Sequence, residues 1–173
     1  MNVAEAIRAK RAVRQFAPRP LPDDAVRAIL NAGRRAQSSK NTQPWQFIAV
    51  TDKDVLAQLS HTGDFAGHLA GAALGVVLAA PDAADPERHA WLLFDLGQAA
   101  SYMQLASWNL GIGSAIATIY HPDQAQAILG IPEGYRCDVA LSFGYPADAS
   151  VLTTPPRPGG RKPLDEMTHR NRW

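Results

Sequence analysis

Residues 72–79 read Ala-Ala-Leu-Gly-Val-Val-Leu-Ala, a run without one polar side chain. A strand this uniformly apolar is stable only when both of its faces are covered, so the chain must build a layer on each side of it. A turn is expected from Pro81 to Pro86. A long helix then follows over about 87–110, where Leu92, Leu93, Leu96, Ala100, Met103, Leu105 and Trp108 recur at the spacing of a buried face. The widest apolar stretch, Leu69 to Pro81, is too short to span a bilayer.

The other elements arrange themselves around this pair. A short helix is predicted over 3–10, with Val3, Ala6 and Ile7 on one face, and alternation begins at Lys10–Phe16. Pro18, Pro20 and Pro22 mark a loop and a helix start. The next helix runs over about 23–35, with Val26, Ile29, Leu30 and Gly33 as its buried stripe. Gln37 to Pro44 reads as a loop, 46–50 as a strand, 112–119 as a strand, 122–129 as a short helix and 137–143 as a strand. No element is predicted between Val50 and Leu69. Val151 to Lys162 is rich in Pro and Gly and reads as an extended arm, with one or two helical turns at 163–169. Strands interleaved with helices give an α/β or α+β sandwich in one domain, residues 1–173, with 146–173 as the arm.

Bulk properties exclude several classes. A net charge of +1 with 19% charged residues is not the balance of a nucleic-acid binder. The single cysteine, Cys137, cannot form an internal disulfide or a zinc site alone, and its setting is that of a buried strand. The five histidines, His61, His68, His89, His121 and His169, lack metal-ligand spacing and read as surface or capping residues. Ser38 and Ser39 lack a nucleophile elbow. Asp64 and Asp95 have no evident acid–base partner. Charges at Glu5, Arg8, Lys10 and Arg11 interrupt any signal-like run, so the expectation is a soluble, cytoplasmic protein. No Gly-x-Gly-x-x-Gly follows a strand, so a Rossmann dinucleotide site is not indicated.

Three segments carry unusual polar density. Lys10, Arg11 and Arg14 end the first helix; cations there can bind a phosphate, but they are favourable at a helix C-terminus without any ligand. Gln37 to Trp45 can present amides and hydroxyls to the edge of a planar heterocycle, or can be a capped surface turn. Arg157, Arg161 and Lys162 lie on the arm, where a solvated charged face is the ordinary reading. Spacing alone leaves each pair of readings open.

Taken together, five ordered motifs resemble the nitroreductase family. Lys10-Arg11-Ala12-Val13-Arg14-Gln15-Phe16 is similar to the pattern Arg-Arg-Ser-Val-Arg-x-Phe, and Ser38-Ser39-Lys40-Asn41-Thr42-Gln43-Pro44-Trp45 to Pro-Ser-x-x-Asn-x-Gln-Pro-Trp. Asp95-x-Gly97-Gln98-Ala99-Ala100 with Leu110-Gly111-Ile112-Gly113-Ser114 resembles the family's central helix and next strand. Phe143-Gly144-Tyr145-Pro146 and Gly160 to Glu166 resemble its C-terminal signature.

The resemblance implies an α+β sandwich, a mixed central sheet flanked by helices, that binds FMN. It further implies a homodimer enclosing two flavins at its interface, with the C-terminal arm exchanged. Lys10, Arg11 and Arg14 match FMN-binding cations, Ser38, Ser39 and Asn41 the loop that holds the ring, and Arg161 and Lys162 the C-terminal phosphate cations. Thr118 and Ile119 lie where the family approaches the reactive edge of the flavin. Two departures stand out: Ala12 replaces the usual Ser, and Gln37 the usual Pro. The chain is also short where larger members carry helices over the pocket. The implied activity is reduction of nitroaromatics, quinones or similar acceptors with NAD(P)H by a two-step flavin cycle. No catalytic side chain or metal is assigned. Flavin-dependent dehydrogenation or dehalogenation, or a non-catalytic flavin carrier, are the alternatives.

Overall fold

The computed structural model describes residues 1–155 and 159–173, so Arg157 lies outside the described residues. Helix α1 spans Val3–Ala9. Asn2 starts it: its side chain accepts the Glu5 N–H at 2.9 Å, and the Glu5 carboxylate accepts the Asn2 N–H at 3.0 Å. This reciprocal cap satisfies two N–H groups that the helix itself cannot. Helix α2 (Asp23–Arg34) follows, then strand β1 (Gln46–Val50) and helix α3 (Lys53–Leu59). Next come β2 (Leu74–Pro81), α4 (Pro86–Asn109), β3 (Gly113–Thr118), α5 (Pro122–Leu129) and β4 (Tyr135–Gly144).

Helix α3 has no counterpart in the sequence reading. It is two turns long, and its start is fixed by Asp52, whose carboxylate accepts the N–H groups of Asp54 and Val55 at 2.9 and 3.0 Å. Its buried side chains are Leu56 and Leu59. The strand expected from Ala72 begins at Leu74, because Ala72 still closes a turn onto the Leu69 carbonyl.

The sheet order is β1-β2-β4-β3, and all of these strands pair antiparallel. A mixed sheet was expected. Among the described residues, parallel pairing is confined to an isolated bridge between Ala12 and Ser114, because the N-terminal segment lies along the free edge of β3.

Strand β2 is central and buried on both faces, as its composition requires. Leu74, Val76 and Leu78 point into a core with Ile29, Trp45, Leu96, Met103, Ile112, Leu141 and Phe143, under α2 and α4. Val77 and Ala79 point the other way, into a core with Leu56, Leu59, Leu69, Ile119 and Ala140, under α3 and α5. A register shift between Leu78 and Ala79 leaves one extra residue, Asp138, on β4. A one-residue slip turns a side chain to the opposite face, so Cys137 shares a face with Ala140 instead of Leu141. Cys137 is fully buried there.

The N-terminal segment crosses the ends of β3 and β4, and two glycines make room for it. The Val13 side chain would stand 2.6 Å from a Cβ at Gly113, and Phe16 at 2.8 Å from one at Gly144. The Val13 N–H donates to the Ser114 carbonyl at 2.9 Å, and the Ala17 N–H to Tyr145 at 2.8 Å. Anchored at these points, residues 10–14 carry their cations across the end of the sheet.

Candidate functional site

Lys10 is the residue at which α1 stops, with extended backbone at φ −57° and ψ 131°. Its ammonium donates to Gln104 Oε1 at 3.0 Å, near the C-terminal end of α4. The Arg11 guanidinium donates to the carbonyls of Ala9 at 3.2 Å and Thr154 at 2.5 Å, and lies 5.9 Å from the Trp108 ring centre. Two backbone acceptors and an aromatic face hold it in one orientation. Arg161 comes back from the arm to the same place. Lys10, Arg11, Gly160 and Arg161 line one cavity of about 680 Å³. Burial lowers the proton affinity of Lys10, and the positive charge of Arg161 lowers it further. The ion pairs among the described residues are His89–Asp138 and Arg136–Asp138. With Arg8, which also lines it, the cavity has four cations and, among the described residues, no carboxylate in its lining. Lys162 is exposed at the rim of the arm.

The polar loop is held at a different point. Ser38 Oγ accepts the Gln43 N–H at 2.9 Å, closing the loop on itself. The Ser39 N–H donates to both carboxylate oxygens of Asp95, at 3.1 and 3.3 Å, and Gln98 Nε2 donates to the same carboxylate at 3.4 Å. Asp95 is 4% exposed. Its role was not visible in the sequence, where it had no partner. Lys40, Asn41 and Gln43 have φ of 50°, 54° and 49°. Left-handed backbone costs a side-chain-bearing residue roughly 1–2 kcal/mol, so external contacts must fix this conformation. The result leaves Ser39 and Asn41 exposed.

Asp95 and Gln104 are nine positions apart on α4, about 14 Å along the helix axis. One chain therefore brings together Lys10, Arg11 and Arg161, but holds Ser38, Ser39 and Asn41 elsewhere. Just before Asp95, α4 exposes Trp91 and Phe94, at 58% and 59%, and between the two points it exposes Tyr102, at 46%. Trp91 and Phe94 meet edge to face at 5.9 Å beside Ser38 and Ser39.

At the far end of β3, Thr118 is exposed but Ile119 is 3% exposed and belongs to the core. The Ile119 N–H already donates to the Asp138 carbonyl at 2.9 Å, so of the two only Thr118 faces outward. The segment after α3 packs on this turn: Thr62 accepts the N–H groups of Tyr120 and His121, at 2.8 and 3.0 Å.

That segment also carries a residue misread in the sequence. His68 was expected at the surface, yet it is 9% exposed, and neither ring nitrogen has a hydrogen-bond partner. The 3-10 turn Gly67–Leu69 folds it inward. Burial lowers its proton affinity, the nearby charge of Arg14 lowers it again, and a long backbone contact with Ile116 raises it in part. The other histidines fit the expectation better: His89 lies 3.6 Å from Asp138, and His169 stacks on Trp173 at 4.3 Å.

Residues 7–73 and 65–145 match the model of the nitroreductase family. The chain belongs to the nitroreductase family. An Archaeoglobus fulgidus protein named as an NADH dehydrogenase/NAD(P)H nitroreductase is 31% identical over 143 residues, covering 80% of this chain and 82% of that protein. The solved structure of an FMN-dependent nitroreductase from Clostridium difficile superposes with a TM-score of 0.85 at 25% identity, covering 99% of this chain and 100% of the other. The NADPH:FMN oxidoreductase of Vibrio harveyi, solved with NAD+, shares the fold at a TM-score of 0.82 and 24% identity, covering 98% of this chain and 77% of its own. This nitroreductase-family chain is thus an oxidoreductase with an α+β sandwich fold. It lacks a hydroxyl at Ala12, where the side chain is exposed and only the backbone pairs with β3. Among the described residues no helix is long and apolar enough to cross a membrane.

Proposed function

We propose that this chain is an FMN-dependent oxidoreductase, working as a homodimer. It passes a hydride from NADH or NADPH to nitroaromatics, quinones or similar small acceptors in two successive half-reactions. The observation that carries this reading is the gathering of Arg8, Lys10, Arg11 and Arg161 around one cavity with, among the described residues, no carboxylate in its lining. Like charges gathered in a half-covered cavity are costly alone and favourable around a dianion. FMN, when bound, supplies the two-electron carrier.

The side chains fit that group. Arg11, already oriented by Ala9 and Thr154, offers its remaining N–H groups to a terminal phosphate, with Lys10, Arg161 and Lys162 beside it. Arg14 brings a fixed positive charge toward the ring and favours negative charge there. Ser38, Ser39 and Asn41 form a polar edge that Asp95 holds in place. Thr118 lies at the open end of β3. No side chain here acts as a nucleophile, and a proton can come from water.

The homodimer is supported by the apolar side chains that one chain leaves uncovered. Trp91, Phe94, Leu164, Met167 and Trp173 are all more than half exposed, an apolar surface that a partner chain would cover. The whole chain, 1–173, then serves as one unit; the arm 146–173 is tied to its own chain at Pro146, Ala147 and Thr154, and its apolar end, Leu164 to Trp173, is the part laid on the partner.

Anaerobic addition of NADH or NADPH to the purified yellow protein tests the activity. The flavin absorbance should bleach and return on addition of a nitroaromatic or quinone, and steady-state plots against both substrates should be parallel. A flavin that neither nucleotide bleaches would make the protein a carrier. Intersecting plots would exclude a slot shared by donor and acceptor in turn.

A further inference from the structure

Gln104 is the one buried amide side chain of α4, where Ala100, Met103, Ser107 and Trp108 are its buried neighbours. An amide in such a place is costly unless it is hydrogen-bonded. Its oxygen accepts from the Lys10 ammonium at 3.0 Å. Among the described residues this is the one hydrogen bond between side chains far apart in the chain. The amide must turn its oxygen to Lys10, because its nitrogen and the ammonium are both donors. A lysine stem is long and flexible, and an ammonium without an anchor would swing away from Arg161 into solvent. Burial and the charge of Arg161 both lower the proton affinity of Lys10. A carboxylate at position 104 would relieve that cost, yet an amide stands there. It holds the ammonium in place and leaves its charge whole.

The neighbouring cations of the cavity are held differently. Arg11 is oriented by the carbonyls of Ala9 and Thr154 and by the Trp108 ring, whereas Arg161 bonds, among the described residues, to its neighbour Gly160. Among the described residues the Lys10 ammonium has Gln104 as its one partner, so its orientation depends on that side chain. We propose that Gln104 is the positioning residue of the phosphate cavity, fixing the Lys10 ammonium toward a terminal phosphate while cancelling none of its charge. This rests on the reading of the cavity as the seat of the flavin phosphate. Gln104 is not among the described residues that line the cavity, so it acts through Lys10. An ammonium has three N–H groups, and the bond to Gln104 leaves two for phosphate oxygens.

Full-length apoprotein, freed of flavin, is titrated with FMN and with riboflavin, which lacks the phosphate. Gln104→Met removes the acceptor and should weaken FMN binding roughly tenfold, with riboflavin binding unchanged. Gln104→Glu keeps the shape and still pairs with Lys10, but it cancels the charge. It should weaken FMN by more than Gln104→Met, again with riboflavin unchanged. Lys10→Met should weaken FMN at least as much as Gln104→Met, and combining the two should cost nothing further. Riboflavin affinity reports in each variant that the fold is intact. Equal losses for both ligands, an unchanged FMN affinity in Gln104→Glu, or a Gln104→Met loss that persists in full without Lys10 would make Gln104 a core residue and overturn the proposal alone. A wild-type protein that binds FMN no more tightly than riboflavin would overturn the reading of the cavity as well. A wild-type protein that binds neither would overturn the flavin site itself.

Discussion

The Ser39 N–H stands 3.1 Å from the nearer carboxylate oxygen of Asp95, which ties the polar loop to the middle of α4. Among the described residues Asp95 has no cation as partner, so the donors of Ser39 and Gln98 carry the compensation for its burial. The loop's three left-handed residues depend on this tether. Asp95→Ala should cost about 1.5–3 kcal/mol of stability, the range for a charged hydrogen bond. Asp95→Asn, which keeps one acceptor, should cost less. Thermal unfolding of both apoproteins checks the order, and a holoprotein with Asp95→Ala should also release flavin faster.

The phosphate cavity makes a separate prediction. Arg11→Ala and Arg161→Ala should each weaken FMN binding by about 1.5–3 kcal/mol. Their effects on the apoprotein should differ. Arg161 is exposed and, among the described residues, bonds only to its neighbour Gly160, so its loss should leave the melting temperature unchanged. Arg11 joins the first helix to Thr154 and Trp108, so its loss should lower it. Fluorescence titration with FMN, paired with thermal melts, separates the two.

Much of this arrangement was legible in the sequence, and the exceptions share a cause. Strand β1 and helix α5 fall at their expected bounds, because each is set by local signals, Trp45 before the strand and Pro122 at the helix start. The two-faced burial of β2 and the burial of Cys137 follow from composition. Helix α3 escaped because seven residues with two buried leucines do not build a visible period, although Asp52 was there to cap it. His68 and Asp95 escaped for another reason. What makes each notable is a contact, or the lack of one, with residues distant in the chain, and no local pattern encodes that. The Asp138 bulge likewise depends on pairing between strands.

The apolar stripe on α4 should hold the dimer. Trp91→Glu combined with Phe94→Glu places two carboxylates on that surface without touching the core. Light scattering at micromolar concentration should show the variant as a monomer, and its flavin content should fall with the dimer. A variant that remains a loaded dimer would move the interface elsewhere.

Cys137 gives a check on the core. Burial and the neighbouring Asp138 carboxylate push its thiol up to about 11. Thiol reagents need the thiolate and access to it, so the native protein should not react at pH 8. Modification should appear only on unfolding. Because the folded-state value lies above that of the unfolded thiol, this group's contribution to stability is present below about pH 9 and is lost as pH rises toward 11. Rapid labelling of the native protein would contradict the burial.

The identity of the bound chromophore is the most direct measurement of all. The purified protein is denatured and the released molecule identified by mass spectrometry. A cavity built from Lys10, Arg11 and Arg161 around a terminal phosphate predicts FMN, at one molecule per chain. Release of FAD, or no flavin even after reconstitution of the apoprotein with FMN, would contradict it.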